Sequence, residues 1–356
     1  VGEMTSCERF RRMFEHRQAD RVPIQDSPWN ATLERWRREG MPEGVDWRDY
    51  FGVDKVADIG VDNSFRFERR VLEETDEYLV EANQWGATVK NWKHVASTPL
   101  DLDFAIKDRG AWEKAKKRLT PTSDRIDWNY LKTHYSLWRK EGRWIEAGLW
   151  FGFDITHSRI VGTERLLYAM VDDPEWCVDM FNTFLDLDLA LLDQVWEAGY
   201  TWDAVTWPDD MGFKGKQFFS PAMYRSLLKP VHKRAIEWIH SKGGYAHLHS
   251  CGNIMPFVPD LLEIGVDCLN PMEVKAGMDP LALKRDCGDR LVLHGGVNAV
   301  LWDDRDAIVA EIERLVPALK ASGGYIFASD HSIPSSVSLE NFRAILDAVK
   351  RAGAYG

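Results

Sequence analysis

His247, His249 and Cys251 stand two residues apart on a short apolar run that reads Tyr-Ala-His-Leu-His-Ser-Cys-Gly. In a β-strand successive side chains alternate between faces, so these three share one face and Ala246, Leu248 and Ser250 take the other. Imidazole and thiolate are ligands that zinc favours, and a His-x-Cys pair on one face can converge on a single ion. Taken alone, the pair also fits the packing of two soft side chains. Its company separates the readings: Glu273 follows one later apolar run and His331 another, and carboxylate and imidazole from neighbouring strands would complete a tetrahedron with His249 and Cys251.

These groups need a scaffold that brings distant segments together. Eight short apolar runs are expected as strands: Val22–Gln25, Val56–Val61, Trp144–Leu149, Ala204–Trp207, Tyr245–His249, Cys268–Met272, Leu291–His294 and Tyr325–Ala328. Six are followed by amphipathic helical patterns such as Pro221–Ser241 and Leu339–Arg351, the alternation that places helices outside a parallel sheet. Eight βα units predict an α/β fold of the (β/α)8 TIM-barrel type, a single domain over residues 1–356. Residues 63–142 interrupt the order between strands two and three. They carry a hairpin (Tyr78–Val80 and Ala87–Trp92) and helices near Ala111–Arg118 and Trp128–Lys140, and an insertion leaving there is expected to reach over the barrel mouth as a cap.

In a barrel the reactive groups come from the carboxyl ends of the strands. Those ends read Asp26, Asp62, Trp150, Trp207-Pro208-Asp209-Asp210, His249-Ser250-Cys251, Met272-Glu273, His294-Gly295-Gly296-Val297-Asn298 and Ser329-Asp330-His331. Ionisable and metal-capable side chains gather there. Trp29, Trp85, Trp150 and Trp207 fall at strand ends or in the insertion, where they either line the mouth or pack in the core.

Composition removes several classes. The 356 residues are 45% hydrophobic and 28% charged, which supports a globular core. A formal net charge of −11 offers no basic surface for nucleic acid. Five cysteines (Cys7, Cys177, Cys251, Cys268, Cys287) form no CxxC pair, and their odd number argues against a disulfide framework, so a reducing cytoplasm is expected. No signal-peptide pattern or run of about 18 apolar residues is seen, so neither export nor a membrane span is expected.

Several segments carry a resemblance that runs nearly end to end. They are Glu8-Arg9-Phe10 through Asp20-Arg21-Val22-Pro23, Phe219-Ser220-Pro221-Ala222-Met223-Tyr224 with Pro230, and His249-Ser250-Cys251-Gly252-Asn253. Further along come Asn270-Pro271-Met272-Glu273 through Met278-Asp279-Pro280, His294-Gly295-Gly296-Val297-Asn298, and Ile333-Pro334 ahead of Glu340-Asn341. Together they resemble the uroporphyrinogen decarboxylase superfamily. Its decarboxylases clamp a polyanionic tetrapyrrole with an arginine segment after strand one. Here the similar Arg17-Gln18-Ala19-Asp20-Arg21 precedes that strand, and the loop after it, Asp26-Ser27-Pro28-Trp29-Asn30, has no cation, which disfavours that substrate.

The other branch, the cobalamin- and thiol-linked methyltransferases, is similar in its His-x-Cys on strand five and its Glu after strand six. It implies His249, Cys251 and Glu273 as zinc ligands, with His331 where that branch has a further Cys. One thiolate fewer leaves a better Lewis acid and favours demethylation of an ether or amine over thiol methylation. The resemblance also implies Asp209 and Asp210 as an acidic pair that orients substrate or shuttles a proton; capping of the following loop by Asp210 is the other reading. His294 is a further catalytic candidate. Asp26, Trp29, Trp150, Trp207, Tyr224 and Asn298 are the candidate substrate contacts. The expected function is zinc-dependent methyl transfer between a small methyl donor or acceptor and a corrinoid. No Asp-x-His-x-x-Gly segment is present to bind that cobalamin, so a partner protein or free solution must supply it. A metal-free decarboxylase or lyase acting on a small acid, and a non-catalytic binding barrel, are the alternatives.

Overall fold

A computed structural model describes residues 3–94 and 98–355. Seven parallel strands form one curled sheet whose spatial order is also chain order: Val56–Ile59, Trp144–Gly148, Ala204–Pro208, Tyr245–His249, Cys268–Asn270, Val292–His294 and Tyr325–Ile326. Every neighbouring pair is parallel. Helices such as Pro174–Glu197, Lys229–Ser241, Arg305–Lys320 and Leu339–Gly353 pack outside it.

The expected first strand, Val22–Gln25, is reduced to a single parallel bridge, Ile24 to Phe327. Gln25 N donates to Phe327 O (3.1 Å), Phe327 N to Pro23 O (2.9 Å), and on the other side Asp54 N to Ile24 O (3.1 Å). Pro23 has no amide hydrogen, so a longer ladder loses a donor at its second residue.

The amino end of the sheet is closed by the helix Ser6–Phe14, started by a Thr5/Glu8 capping box. Its Phe10 and Phe14 stack on Trp144, and Phe14 on Tyr245, the first residues of two strands. Buried Arg9 fixes the helix through Asp20 (2.7 Å) and Asp54 (2.5 Å). With that end plugged, the carboxyl end carries the open mouth.

Residues between the strands Val56–Ile59 and Trp144–Gly148 form an antiparallel sheet of four strands rather than one hairpin: Arg70–Glu74, Tyr78–Ala82, Ala87–Trp92 and Leu100–Phe104. The two extra strands are the edges. Both lie almost wholly exposed, so neither carries the buried face that announces a strand in sequence. The helices Arg109–Lys116 and Trp128–Lys140 follow. Trp85, in the turn of the central hairpin, packs edge-on against Trp150 at 5.5 Å. No helix among the described residues is long and apolar enough to cross a membrane.

Behind Trp150, Asp188 of the helix Pro174–Glu197 is 1% exposed. One of its oxygens accepts from Trp150 N (2.7 Å) and Asn63 Nδ2 (3.3 Å); the other has no partner. Burial pushes its carboxyl up to about 8. A carboxyl raised in the folded state holds a proton that the unfolded chain releases. Its contribution is therefore most favourable below the ordinary carboxylate value and falls as pH rises from about 4 to about 8. Asp188→Asn keeps the acceptor and removes the titration. In urea unfolding at pH 5, 7 and 9 the variant should gain on the wild type as pH rises to about 8, by about 1.4 kcal/mol for each pH interval of one. A difference that does not change with pH would contradict this.

Candidate metal centre at the strand ends

The strand Tyr245–His249 lies between Ala204–Pro208 and Cys268–Asn270, and its end meets the loops that follow both. There the donor atoms of Asp210, His249 and Cys251 lie within 4.8 Å of one another. Cys251 Sγ is 3.4 Å from His249 Nε2, which is 3.9 Å from Asp210 Oδ1. Hydrogen bonding fixes the imidazole. Asn270 Nδ2 donates to His294 O (3.2 Å), which turns Asn270 Oδ1 toward His249 Nδ1 at 2.5 Å. An acceptor there places the proton on Nδ1 and leaves the Nε2 lone pair facing Cys251, the orientation a metal-binding histidine needs.

Backbone contacts hold Cys251 in place. Its N–H donates to Asp210 Oδ1 at 2.7 Å. Gly252 has φ +78°, and a Cβ there would stand 2.1 Å from the carbonyl carbon of Gly212. A Cβ on Gly212 would stand 2.9 Å from Cys251 O. The loops after strands four and five therefore touch backbone to backbone, which only glycine permits at both positions.

The cluster is rich in negative groups. Burial pushes the Cys251 thiol up, and the carboxylates of Asp210 and Glu273 push it further. Burial also raises Asp210, against the opposing effect of His249, and nearby Asp154 adds to the rise.

Of the four expected ligands, His249 and Cys251 come together, and Asp210 joins them. Glu273 and His331 stand outside that group. Glu273 follows Met272, whose φ is +59°, and its carboxylate accepts Gly252 N–H at 2.7 Å while Lys275 Nζ lies 3.4 Å away. Each oxygen so engaged keeps a second lone pair, and the carboxylate lies close enough to raise the Cys251 thiol. His331 lies parallel to Trp29, with ring centroids 6.4 Å apart, and burial, with Lys275 nearby, lowers its basicity.

The acidic pair splits. Asp210 faces the cluster, whereas Asp209 is fully buried beneath it. Asp209 accepts from Asp154 N (2.6 Å) and from His232 Nε2 (2.7 Å), and His232 Nδ1 takes the Tyr224 hydroxyl at 3.1 Å. Tyr224 and Trp207, expected at the substrate, are both enclosed. Trp207 is in register with Leu248, on the side that faces the helices, stacks on Phe151 and meets His232 edge to face.

His294 is buried in the barrel interior: Nε2 donates to Gln25 O (3.1 Å) and Nδ1 accepts from His247 Nε2 (3.3 Å). Burial, with His247 nearby, pushes its pKa down to about 3, so it is neutral. His247 also donates from Nδ1 to Glu146 (3.2 Å), so both its nitrogens carry protons. His247, Cys268 and His294 lie close together, but these bonds use the imidazole lone pairs. Asp26 accepts from Ser27 N and from Ser329 N and Oγ, tying the first strand's end to the eighth; burial raises it to about 6. Asn298 caps the turn Ala299–Leu301. Trp150 donates Nε1–H to Asp154 Oδ2 at 2.7 Å.

The uroporphyrinogen decarboxylase (URO-D) family model matches residues 155–352, more than half of the chain. The chain belongs to the uroporphyrinogen decarboxylase family. Among solved structures, a methyltransferase from Methanosarcina mazei is similar over 98% of this chain and 99% of its own, at 16% identity and a TM-score of 0.67, a likeness of fold. A B12-independent methionine synthase from Shewanella sp. W3-18-1 in complex with selenomethionine matches over 86% of this chain and 83% of its own, at 12% identity and a TM-score of 0.41. No curated protein matches the sequence.

The matched URO-D region contains Asp210, His249, Cys251, Glu273 and His331 and begins just after Asp154. Asp154 and His157 were missed by sequence reasoning. His157 Nε2 lies 3.5 Å from Asp154 Oδ1, and the imidazole stacks on Phe153 with Nδ1 on Thr163 Oγ1. The loop after the third strand carries them three residues apart, one helical step, a spacing visible in sequence once that loop is read as helical.

Proposed function

We propose that this URO-D family protein is a zinc-dependent methyltransferase that moves a methyl group between a small O-, N- or S-methylated substrate and a corrinoid, the cobalamin being carried by a partner protein or free. The Asp210–His249–Cys251 cluster carries the reading. Its donors fit zinc: a thiol, an imidazole whose Nε2 is left free by the Asn270 contact, and a carboxylate within 4.8 Å. Glu273 or His331, from the neighbouring strand ends, would supply a fourth ligand. Bound there, zinc would act as a Lewis acid on the heteroatom that carries the methyl group.

The chain's own residues do the rest. Asn270 holds His249 in the binding tautomer, and the Gly212–Gly252 contact holds Cys251. Trp29, Trp85 and Trp150 give the mouth aromatic faces, and Asp154, held by Trp150 Nε1 and His157, places a carboxylate beside the cluster from the third strand's loop. Residues 63–142 act as a cap, a role supported by the Trp85–Trp150 contact. Asp210 serves as ligand or substrate-orienting carboxylate, and Asp209 as the buried support beneath it.

The test is demethylation of methoxylated aromatics and methylated amines by zinc-loaded protein with added reduced corrinoid, read by mass spectrometry. The demethylated product should depend on the chain and on the corrinoid. Corrinoid-independent release of CO2 from a small acid, with no demethylation, would favour the metal-free decarboxylase instead. Asn270→Leu should weaken zinc binding about 10- to 100-fold in a chelator competition, the usual effect of removing a ligand's hydrogen-bond partner. Unchanged affinity would mean that Asn270 does not set the His249 tautomer.

A further inference from the structure

One carboxylate inside the barrel has no part in anything above. Asp58 lies on the strand Val56–Ile59, in register with Glu146. Alternation puts Val56 and Asp58 on one face and Ala57 and Ile59 on the other. Ala57 and Ile59 are buried in the outer core with Trp36 and Phe51, whereas Val56 packs with Phe10, Phe14 and Trp144 at the plugged amino end. Asp58 is therefore an inner-face side chain one step above the plug, yet it is exposed. Water reaches it from the carboxyl end. Gly60 and Gly148, the next inner positions on the two strands, leave the walls bare: a Cβ on Gly60 would meet no atom within 4 Å, and one on Gly148 only Ile59 O at 3.8 Å. Beside Gly60 the wall also parts, because Asp54 N–H to Ile24 O (3.1 Å) is the last backbone bond between the first two strands among the described residues.

Nothing in the chain balances this charge at contact distance. Among the described residues no cationic nitrogen comes within 4.0 Å of the Asp58 carboxylate, and no donor is hydrogen-bonded to it. Arg48 acts on it only from farther away and has Asp46 as its own ion-pair partner (3.7 Å). Protein surrounds the carboxyl on most sides, and this burial raises it to about 6; Glu146 adds to the rise, against Arg48. Glu146 itself is paired with His247 (3.2 Å). Ile24 belongs to the outer core, so Gln25 faces inward, and its buried Oε1 also meets no donor. Two acceptors without donors, in a barrel with room above them, call for a ligand that brings N–H groups and positive charge. Asp154, Asp210 and Glu273 at the strand ends strengthen the negative field, and a cleft of one sign concentrates the opposite charge. The aromatic faces of Trp29 and Trp150 favour an organic cation over an anion.

We propose that the mouth takes a small organic cation, and that Asp58 is the specificity-determining residue that receives its ammonium group. The binding needs no metal; its place in turnover rests on the reading of the Asp210–His249–Cys251 cluster as the reacting centre. A ligand that carries a carboxylate to the same point meets a like charge and is rejected.

The experiment is calorimetric titration of benzylamine, and of its uncharged analogue benzyl alcohol, into zinc-free protein at pH 8, where both the amine and Asp58 are charged. Wild type, Asp58→Asn and Asp347→Asn are compared, the last an equal change of charge on the outer helix Leu339–Gly353, with zinc uptake measured in parallel. Wild type should bind benzylamine more tightly than benzyl alcohol. Asp58→Asn should weaken benzylamine binding about 10- to 100-fold and leave benzyl alcohol binding unchanged, with Asp347→Asn like the wild type. Because Asp58 has no contact partner in the chain, Asp58→Asn should also melt no lower than the wild type. No benzylamine binding by the wild type, equal wild-type affinity for the two compounds, equal benzylamine affinity in Asp58→Asn, or equal weakening of both would overturn the proposal. A lower melting temperature for Asp58→Asn would overturn it too, by making Asp58 a structural group. If the protein takes up no zinc but the charge selectivity still depends on Asp58, the metal reading falls and the cation subsite stands.

Discussion

Cys251→Ser and His249→Ala should each give a folded chain that no longer retains zinc. Wild-type protein dialysed against a competing chelator is expected to keep about one zinc per chain, and either variant less than about a tenth of that, because each loses a ligand rather than a supporting contact. Serine preserves the size of Cys251 and the hydrogen bond from its backbone to Asp210, so the loop keeps its shape and the loss reports the sulfur alone. Asp210→Asn should also lose metal, since its carboxylate shares the cluster. Running Glu273→Gln and His331→Ala beside it would identify the fourth ligand. Full retention of zinc in Cys251→Ser would place the metal elsewhere in the chain.

Asp209→Ala should be the most destabilising single change near the site. Its carboxylate is fully buried and accepts from both His232 and the backbone of Asp154. Deleting it leaves two buried N–H groups without an acceptor, and removal of one member of a buried pair costs about 3–5 kcal/mol. Asp209→Asn keeps an acceptor for one of the two donors and should lose less, about 1–3 kcal/mol. Chemical denaturation of the three proteins at one pH would show the order. A loss below about 1 kcal/mol for Asp209→Ala would mean that water reaches the pair. Since Asp154 is released when Asp209 is removed, ligand binding at the mouth should weaken as well.

The contrast between Asp209 and Asp210 shows where sequence reading stops. Two adjacent carboxylates after a strand look equivalent in the chain, yet alternation sends one under the sheet end and the other toward the ligand cluster. The His-x-Cys pair was legible because period-two spacing within a single strand fixes a common face. Which carboxylate comes nearest to that pair depends on loop conformation, on Met272 with positive φ and on Lys275 beside Glu273, and none of this has a period. Trp207 and Tyr224 sit at suggestive positions, but position along a strand or helix does not say which side a ring packs on until the neighbouring elements are known.

Parts of the fold follow the same pattern. The apolar runs and the helical periods between them marked out the parallel sheet, whereas Pro23 shortened the first strand to one bridge through a missing amide hydrogen. In the insertion, the central hairpin showed through its turn and its partly buried face. The edges Arg70–Glu74 and Leu100–Phe104 did not, because strands exposed on both sides have no pattern to read. Asp154 and His157 lie beyond the strand end on short helical turns, Phe153–Ile155 and Thr156–Ile160, too brief to show a period in sequence.

X-ray absorption at the zinc edge of wild-type protein addresses the metal centre without any assumption about substrate. One sulfur at roughly 2.3 Å with nitrogen and oxygen ligands at about 2.0–2.2 Å is expected, with loss of the sulfur shell in Cys251→Ser. A first shell without sulfur, or a spectrum that Cys251→Ser leaves unchanged, would contradict a zinc site built on Cys251.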